Sequence, residues 1–80
     1  MNTITIRWFA AYRDATGTAQ EMLETEAATA ADLFVEMSVR HPDLAEFSRA
    51  LVAINDEMSS WNAPLNAGDE VLFFPPVAGG

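Results

Sequence analysis

Eighty residues, half of them hydrophobic and with two Trp and five Phe among them, suffice for one small domain with its own core. The absence of cysteine excludes a disulfide staple, a thiolate nucleophile and a thiolate metal site. A net charge of −8, from twelve acidic residues against four arginines and no lysine, argues against nucleic acid and anionic membranes as partners and for a partner with a basic docking surface. It also leaves no side-chain amine that could receive an isopeptide bond.

The N-terminal stretch MNTITIRWFAAY alternates polar and apolar residues and is not expected to be a signal peptide. No segment approaches the roughly 20 apolar residues of a membrane span, so a soluble, cytoplasmic protein is expected. Ile4, Ile6 and Trp8 alternate with Thr3, Thr5, Arg7 and Phe9, the pattern of a half-buried strand. AAYRDATGT follows, about one helical turn closed by Gly17. Residues 18–26 read as a second, weaker strand that completes a hairpin. Thr29 is placed to cap a helix, with Asp32 three positions on. Ala30, Leu33, Phe34 and Met37 then form the apolar stripe of a helix lying on a core. His41-Pro42 ends it, because the residue before proline is pushed out of helical backbone. DLAEFSRA reads as a short helix or a loop, LVAIND (51–56) as a third strand and Met58 to Trp61 as a short fourth element. The turn-rich NAPLNAGDE leads to a last strand, Val71 to Phe74, which Pro75 stops. No repeat, linker or low-complexity segment is present.

This order predicts an α+β fold, a mixed sheet of four to five strands with one main helix packed on one face. That is the β-grasp, or ubiquitin-like, architecture, here spanning residues 1–74 with a flexible tail at 75–80. If Ile4, Ile6, Trp8, Val52, Ile54, Val71 and Phe73 face the helix, then Phe9, Leu51, Ala53, Leu72 and Phe74 share the opposite face. Two phenylalanines and two leucines in one exposed patch point to a protein partner. A register slip of one residue would instead send Phe74 inward.

The tail, Pro75-Pro76-Val77-Ala78-Gly79-Gly80, is six residues long and can reach about 20 Å from the sheet. The prolines stiffen its root, and the glycines let bare backbone enter a tunnel too narrow for a Cβ. Its distinctive group is the Gly80 α-carboxylate, a poor electrophile that becomes reactive once adenylated and then captured by sulfur as a thiocarboxylate. The chain has no phosphate-binding loop of its own, so the ATP must be used by another protein.

The segments IRWFAAYRDATGT (6–18), LVAIND (51–56) and PLNAGDEVLFFPPVAGG (64–80) resemble the small sulfur-carrying subunits of molybdopterin synthase. That family shares the β-grasp with the thiamine-pathway sulfur carrier and ubiquitin. The resemblance implies that a ubiquitin-activating-like enzyme uses ATP to adenylate Gly80, and that a persulfide donor supplies the sulfur. It implies that the tail, Pro75 to Gly80, inserts into a large catalytic subunit that holds the pterin pocket, in a heterotetramer. It implies no stably bound cofactor. Phe9 and Phe74 match hydrophobic interface positions of the family, and Arg13 matches a basic residue that could meet an acidic partner group. Trp8 departs from the family as a bulkier residue expected only to repack the core. Asn55, Asp56 and Glu57 are expected to serve a turn, His41 a surface or capping role, and Met22, Met37 and Met58 packing; no metal site is expected. A sulfur carrier for thiamine or cysteine synthesis, a protein modifier conjugated through Gly80, and a tail-bearing interaction module without chemistry are the competing functions.

Overall fold

The computed structural model describes residues 1–9, 11–46 and 51–74. Five strands form one sheet: β1 (Asn2–Trp8), β2 (Gln20–Thr25), β3 (Leu51–Ile54), β4 (Glu57–Ser59) and β5 (Glu70–Phe74). Their spatial order is β2-β1-β5-β3-β4. β1 and β5 run parallel at the centre and the other neighbours are antiparallel. Helix α2 (Ala30–Arg40) is the main helix, so the molecule has the β-grasp architecture that the order of elements predicts. The segment after it, left open as helix or loop, begins as a short 3₁₀ helix, Pro42–Glu46.

Alternation in β1 sets the two faces. Ile4, Ile6 and Trp8 are buried. They join Leu23 of β2, Val71 and Phe73 of β5, and Val52 of β3 in one core with Ala30, Leu33 and Met37 of α2. The helix starts where Thr29, in extended backbone, accepts the N–H of Asp32 at 3.2 Å, which satisfies one of the free donors of the first turn. Phe34, the fourth residue of the stripe, is only partly buried and packs on the core edge. Truncating Leu33 or Met37 to Ala would cost about 2–5 kcal/mol, because each is fully enclosed.

Three core residues come from connections. The β1–β2 link folds as a six-residue helix, α1 (Ala11–Thr16), which buries Tyr12. Gly17 ends it at φ 77° with its N–H on the Arg13 carbonyl at 2.9 Å, a left-handed backbone in which glycine is least strained. Leu44 and Leu65 complete the core from the 3₁₀ helix and the loop before β5.

The β3–β4 turn explains the Asn55-Asp56 pair. Both residues have positive φ, 52° and 68°, the backbone of a tight hairpin turn for which Asn and Asp are among the preferred side chains. Asn55 also ties this turn to the start of β5. Its Nδ2 donates to Asp69 Oδ1 at 2.9 Å, its Oδ1 accepts the Glu70 N–H at 3.0 Å, and its own N–H donates to the Glu70 carbonyl at 2.8 Å. Asp69 Oδ2 accepts the Asn66 N–H at 2.8 Å, so this buried carboxylate is held by hydrogen bonds on both oxygens. The structural role expected for Asn55 is the one it has.

Candidate functional site

Register fixes what the helix-free face of the sheet presents. Leu51 stands opposite Phe74, and Ala53 opposite Leu72, across the β3–β5 ladder. On the other side of β5, Leu72 aligns with Arg7 and Phe73 with Trp8. Leu51, Leu72 and Phe74 are each partly accessible. Phe9, just past the end of β1, is 48% exposed. For Leu51, Ala53, Leu72 and Phe74 the face assigned from alternation is therefore the face observed, and no register slip has occurred.

One member needs correction. Ala53 lies on this face as expected but is only 6% exposed. It sits between Met58 and Leu72 on the neighbouring strands, and a methyl group between two long side chains offers a partner little surface. Met58 takes its place. Expected to pack internally, it is 65% exposed on β4 and carries the apolar strip to the sheet edge. Met22 is likewise exposed, on β2 beside Thr5, so of the three methionines only Met37 is core. Register would have exposed both: each stands directly across the ladder from an outward residue.

Polar groups bound the strip. Arg7 pairs with Glu70 at 3.5 Å, both side chains nearly half exposed. Arg13, on the exposed side of α1, shares a surface hollow with Arg7 and Phe9. Tyr12 lies beneath α1, and burial pushes its hydroxyl pKa upward from the ordinary value.

Two further residues turn inward to a shared acid. Trp8 Nε1 donates to Glu21 Oε2 at 2.9 Å, and His41 Nε2 lies 3.0 Å from the same oxygen. Arg40 approaches the other carboxylate oxygen at 3.8 Å. The extra bulk of Trp8 thus fills the core and also brings a donor that Glu21 satisfies. His41 does cap α2, its N–H on the Met37 carbonyl at 2.7 Å. Its ring is not a surface group, however; it is turned edge-on against Trp8 with centroids 6.1 Å apart. Trp8 in turn stacks on Phe73, and Phe73 on Trp61.

Among the described residues no group of three or more His, Asp or Glu could hold a metal ion, and no helix is long and apolar enough to cross a membrane. The candidate tail residues Pro75, Pro76, Val77, Ala78, Gly79 and Gly80 lie outside the described residues. What the described site can do chemically is dock: it is an apolar strip running to the strand from which the tail departs.

Known proteins resemble this chain in sequence and in fold. The molybdopterin synthase sulfur carrier subunit of Escherichia coli (strain K12) is 35% identical over 80 residues, covering 96% of this chain and 99% of that protein. The crystal structure of small archaeal modifier protein 1 from H. volcanii superposes with a TM-score of 0.85 at 22% identity, over 96% of this chain and all of that one. A chain in the complex of subunits 1 and 2 of the molybdopterin-converting factor from Helicobacter pylori 26695 gives 0.67 at 24% identity, over 98% of this chain and 99% of that one. Both structural matches bear on the fold. Residues 6–80, the strip and the tail included, match the ThiS family, and with the end-to-end likeness to a sulfur carrier subunit the conclusion is direct: the chain belongs to the ThiS family.

Proposed function

We propose that this protein is the sulfur-carrying subunit of a molybdopterin synthase. The observation that carries the reading is the 35% identity, across 96% of the chain, to a carrier subunit of that name. The apolar strip of Leu51, Leu72, Phe74 and Phe9 supports it, as a docking face on the strand that leads into the tail.

On this reading the chemistry is confined to the Gly80 carboxylate. A ubiquitin-activating-like enzyme spends ATP to convert it to an acyl-adenylate, which makes the acyl carbon electrophilic. The outer sulfur of a persulfide donor attacks the acyl carbon and expels AMP, and a second thiol then cleaves the resulting acyl disulfide, joining the donor's remaining sulfur in a disulfide and releasing the thiocarboxylate. The strip then seats on the large catalytic subunit, and Pro75 to Gly79 carry the terminus into that subunit's pocket. There the sulfur bonds to a carbon of a cyclic pyranopterin precursor in place of an oxygen substituent, water cleaves the acyl–sulfur bond and returns the Gly80 carboxylate, and two such deliveries complete a dithiolene. The assembly is a heterotetramer of two carriers on a dimer of large subunits. The pairing of subunits 1 and 2 in the Helicobacter pylori complex supports such a partner, and the likeness of fold makes the docking mode available to this chain.

The test is the intact mass after incubation with ATP, an activating enzyme and a sulfur donor. A gain matching replacement of one oxygen by sulfur, mapped to the C-terminal peptide and discharged by the catalytic subunit with the pterin precursor, is the expected result. No gain, with the enzyme active on a known carrier, would refute the carrier reading. Discharge by a thiamine- or cysteine-forming enzyme instead would move the protein to another sulfur pathway, and isopeptide adducts would make it a modifier.

A further inference from the structure

We propose that Met58 is a site of reversible oxidation by peroxide, and that its sulfoxide stops the apolar strip from docking. The inference rests on the carrier reading, since it names a control over binding to the same partner. A carrier travels from its activating enzyme to its catalytic subunit, so the strip is open to solvent in between.

Sulfur chemistry narrows the choice of residue. The chain has no cysteine and four methionines, so its oxidisable side-chain sulfurs are all thioethers. Met37 is fully enclosed in the core. Met58 is 65% exposed on β4, an edge strand of the sheet. Its partner across the ladder is Ala53, whose methyl group is too short to reach over the sulfur. Met22 is as open, 66% exposed on the opposite edge strand, β2.

What separates these two methionines is what stands beside each. Register puts Met58, Ala53 and Leu72 in one row across β4, β3 and β5, so Met58 is the outer end of the apolar strip. The row of Met22 runs instead through Thr5 to Glu70. A sulfoxide at Met22 adds one polar group to a polar neighbourhood. At Met58 it puts a strong hydrogen-bond acceptor where a partner has to exclude water, and an acceptor buried without a donor weakens binding. Oxidation also turns a side chain that adapts to its surroundings into a polar, chiral one.

The step balances with peroxide as the one co-reactant. A lone pair of the Met58 sulfur bonds to one peroxide oxygen and the O–O bond breaks. The other oxygen leaves as hydroxide, takes the proton from the transferred oxygen and departs as water. Sulfur gives up two electrons and the peroxide gains them. Reversal needs two thiols, which release the oxygen as water and end joined in a disulfide. This chain has no thiol, so the reductant is a separate methionine sulfoxide reductase.

The test treats the full, unloaded chain with hydrogen peroxide, maps the peptides, and titrates the product calorimetrically into a purified molybdopterin synthase catalytic subunit. The unloaded form is used because exchange of oxygen for sulfur at Gly80 and addition of oxygen to a methionine change the mass almost equally. The oxidised chain is expected to bind roughly ten- to a hundredfold more weakly, with an unchanged melting temperature, and to recover after treatment with the reductase. Met58→Leu, in which Met1 and Met22 still oxidise, is expected to keep its own starting affinity through the same treatment. Bound catalytic subunit is expected to slow oxidation of Met58 and leave that of Met22 unaltered. Unchanged affinity of a chain oxidised at Met58, or an equal loss in treated Met58→Leu, would overturn the inference and leave the carrier reading standing. So would a fall in melting temperature that unfolds the treated chain, because the loss would then belong to the fold. No binding by the untreated chain would overturn both.

Discussion

Phe73 and Phe74 are neighbours in sequence with opposite environments, and replacing each by Ala tests the assignment of faces directly. Phe73 is fully enclosed, stacked on Trp8 at 5.4 Å and on Trp61 at 5.8 Å, with Phe34 edge-on at 5.0 Å. Removing a buried ring forfeits its transfer energy and leaves a cavity, about 3–5 kcal/mol in total. A chain of this length has a stability of only about 4–12 kcal/mol, so Phe73→Ala should lower the melting temperature by more than about 12 °C. Phe74, on the open face, leaves no cavity when truncated, and its partial burial is worth about 1 kcal/mol. The expected loss for Phe74→Ala is therefore below about 8 °C. Its cost should appear instead in binding to a catalytic subunit, weakened tenfold or more as for a central aromatic anchor. Thermal unfolding followed by circular dichroism, and calorimetric titration on the same samples, separate the two effects. Equal destabilisation by the two substitutions would refute the assignment of faces.

Glu21→Ala should strand the buried Trp8 indole N–H and remove the contacts to His41 and Arg40, at about 1–3 kcal/mol; denaturant midpoints measure this, and an unchanged midpoint would refute the node. Asn55→Gly keeps the left-handed backbone but loses the side-chain bonds to Asp69 and Glu70, so a loss of about 1–3 kcal/mol in urea titration would show that the clamp, not the turn, needs Asn. The chain has one tyrosine and neither lysine nor cysteine, so Tyr12 is the side chain expected to titrate between about pH 9 and 11. Because burial raises its folded pKa above 10.0, the unfolded chain loses this proton first. Stability should hold below about pH 10 and fall as pH rises through the folded value; Tyr12→Phe should flatten that fall.

What alternation can reveal, the sequence revealed. β1 and β5 are short strands with one face in the core, so each position's parity gives its burial, and the strip at Phe74, Leu72 and Leu51 follows from that. The stripe on α2 was legible for the same reason. Parity says nothing about how much of a small side chain its neighbours leave accessible, which is why it marks Ala53 as contact surface. It also fails on β4, three residues long, where Met58 could be placed only by its pairing with Ala53. The inward Glu21 broke the rule that acids face water. Its partners Trp8 and His41 lie 13 and 20 residues away, and nothing local announces such a meeting. Leu44, Leu65 and Tyr12 are not legible in this way, because core residues from connections carry no period.

The parallel pairing of β1 with β5 has a mechanical consequence. β5 is flanked by hydrogen-bonded neighbours on both sides, and its C-terminal end is where the chain continues past Phe74. A pull applied there is directed along the strand, so it loads the ladders to β1 and β3 together in shear and cannot peel them one bond at a time. An edge strand such as β4 would unzip under the same load. If the tail enters a partner's cleft as proposed, anchoring it to the middle of the sheet would let it be withdrawn without unravelling the domain that holds it.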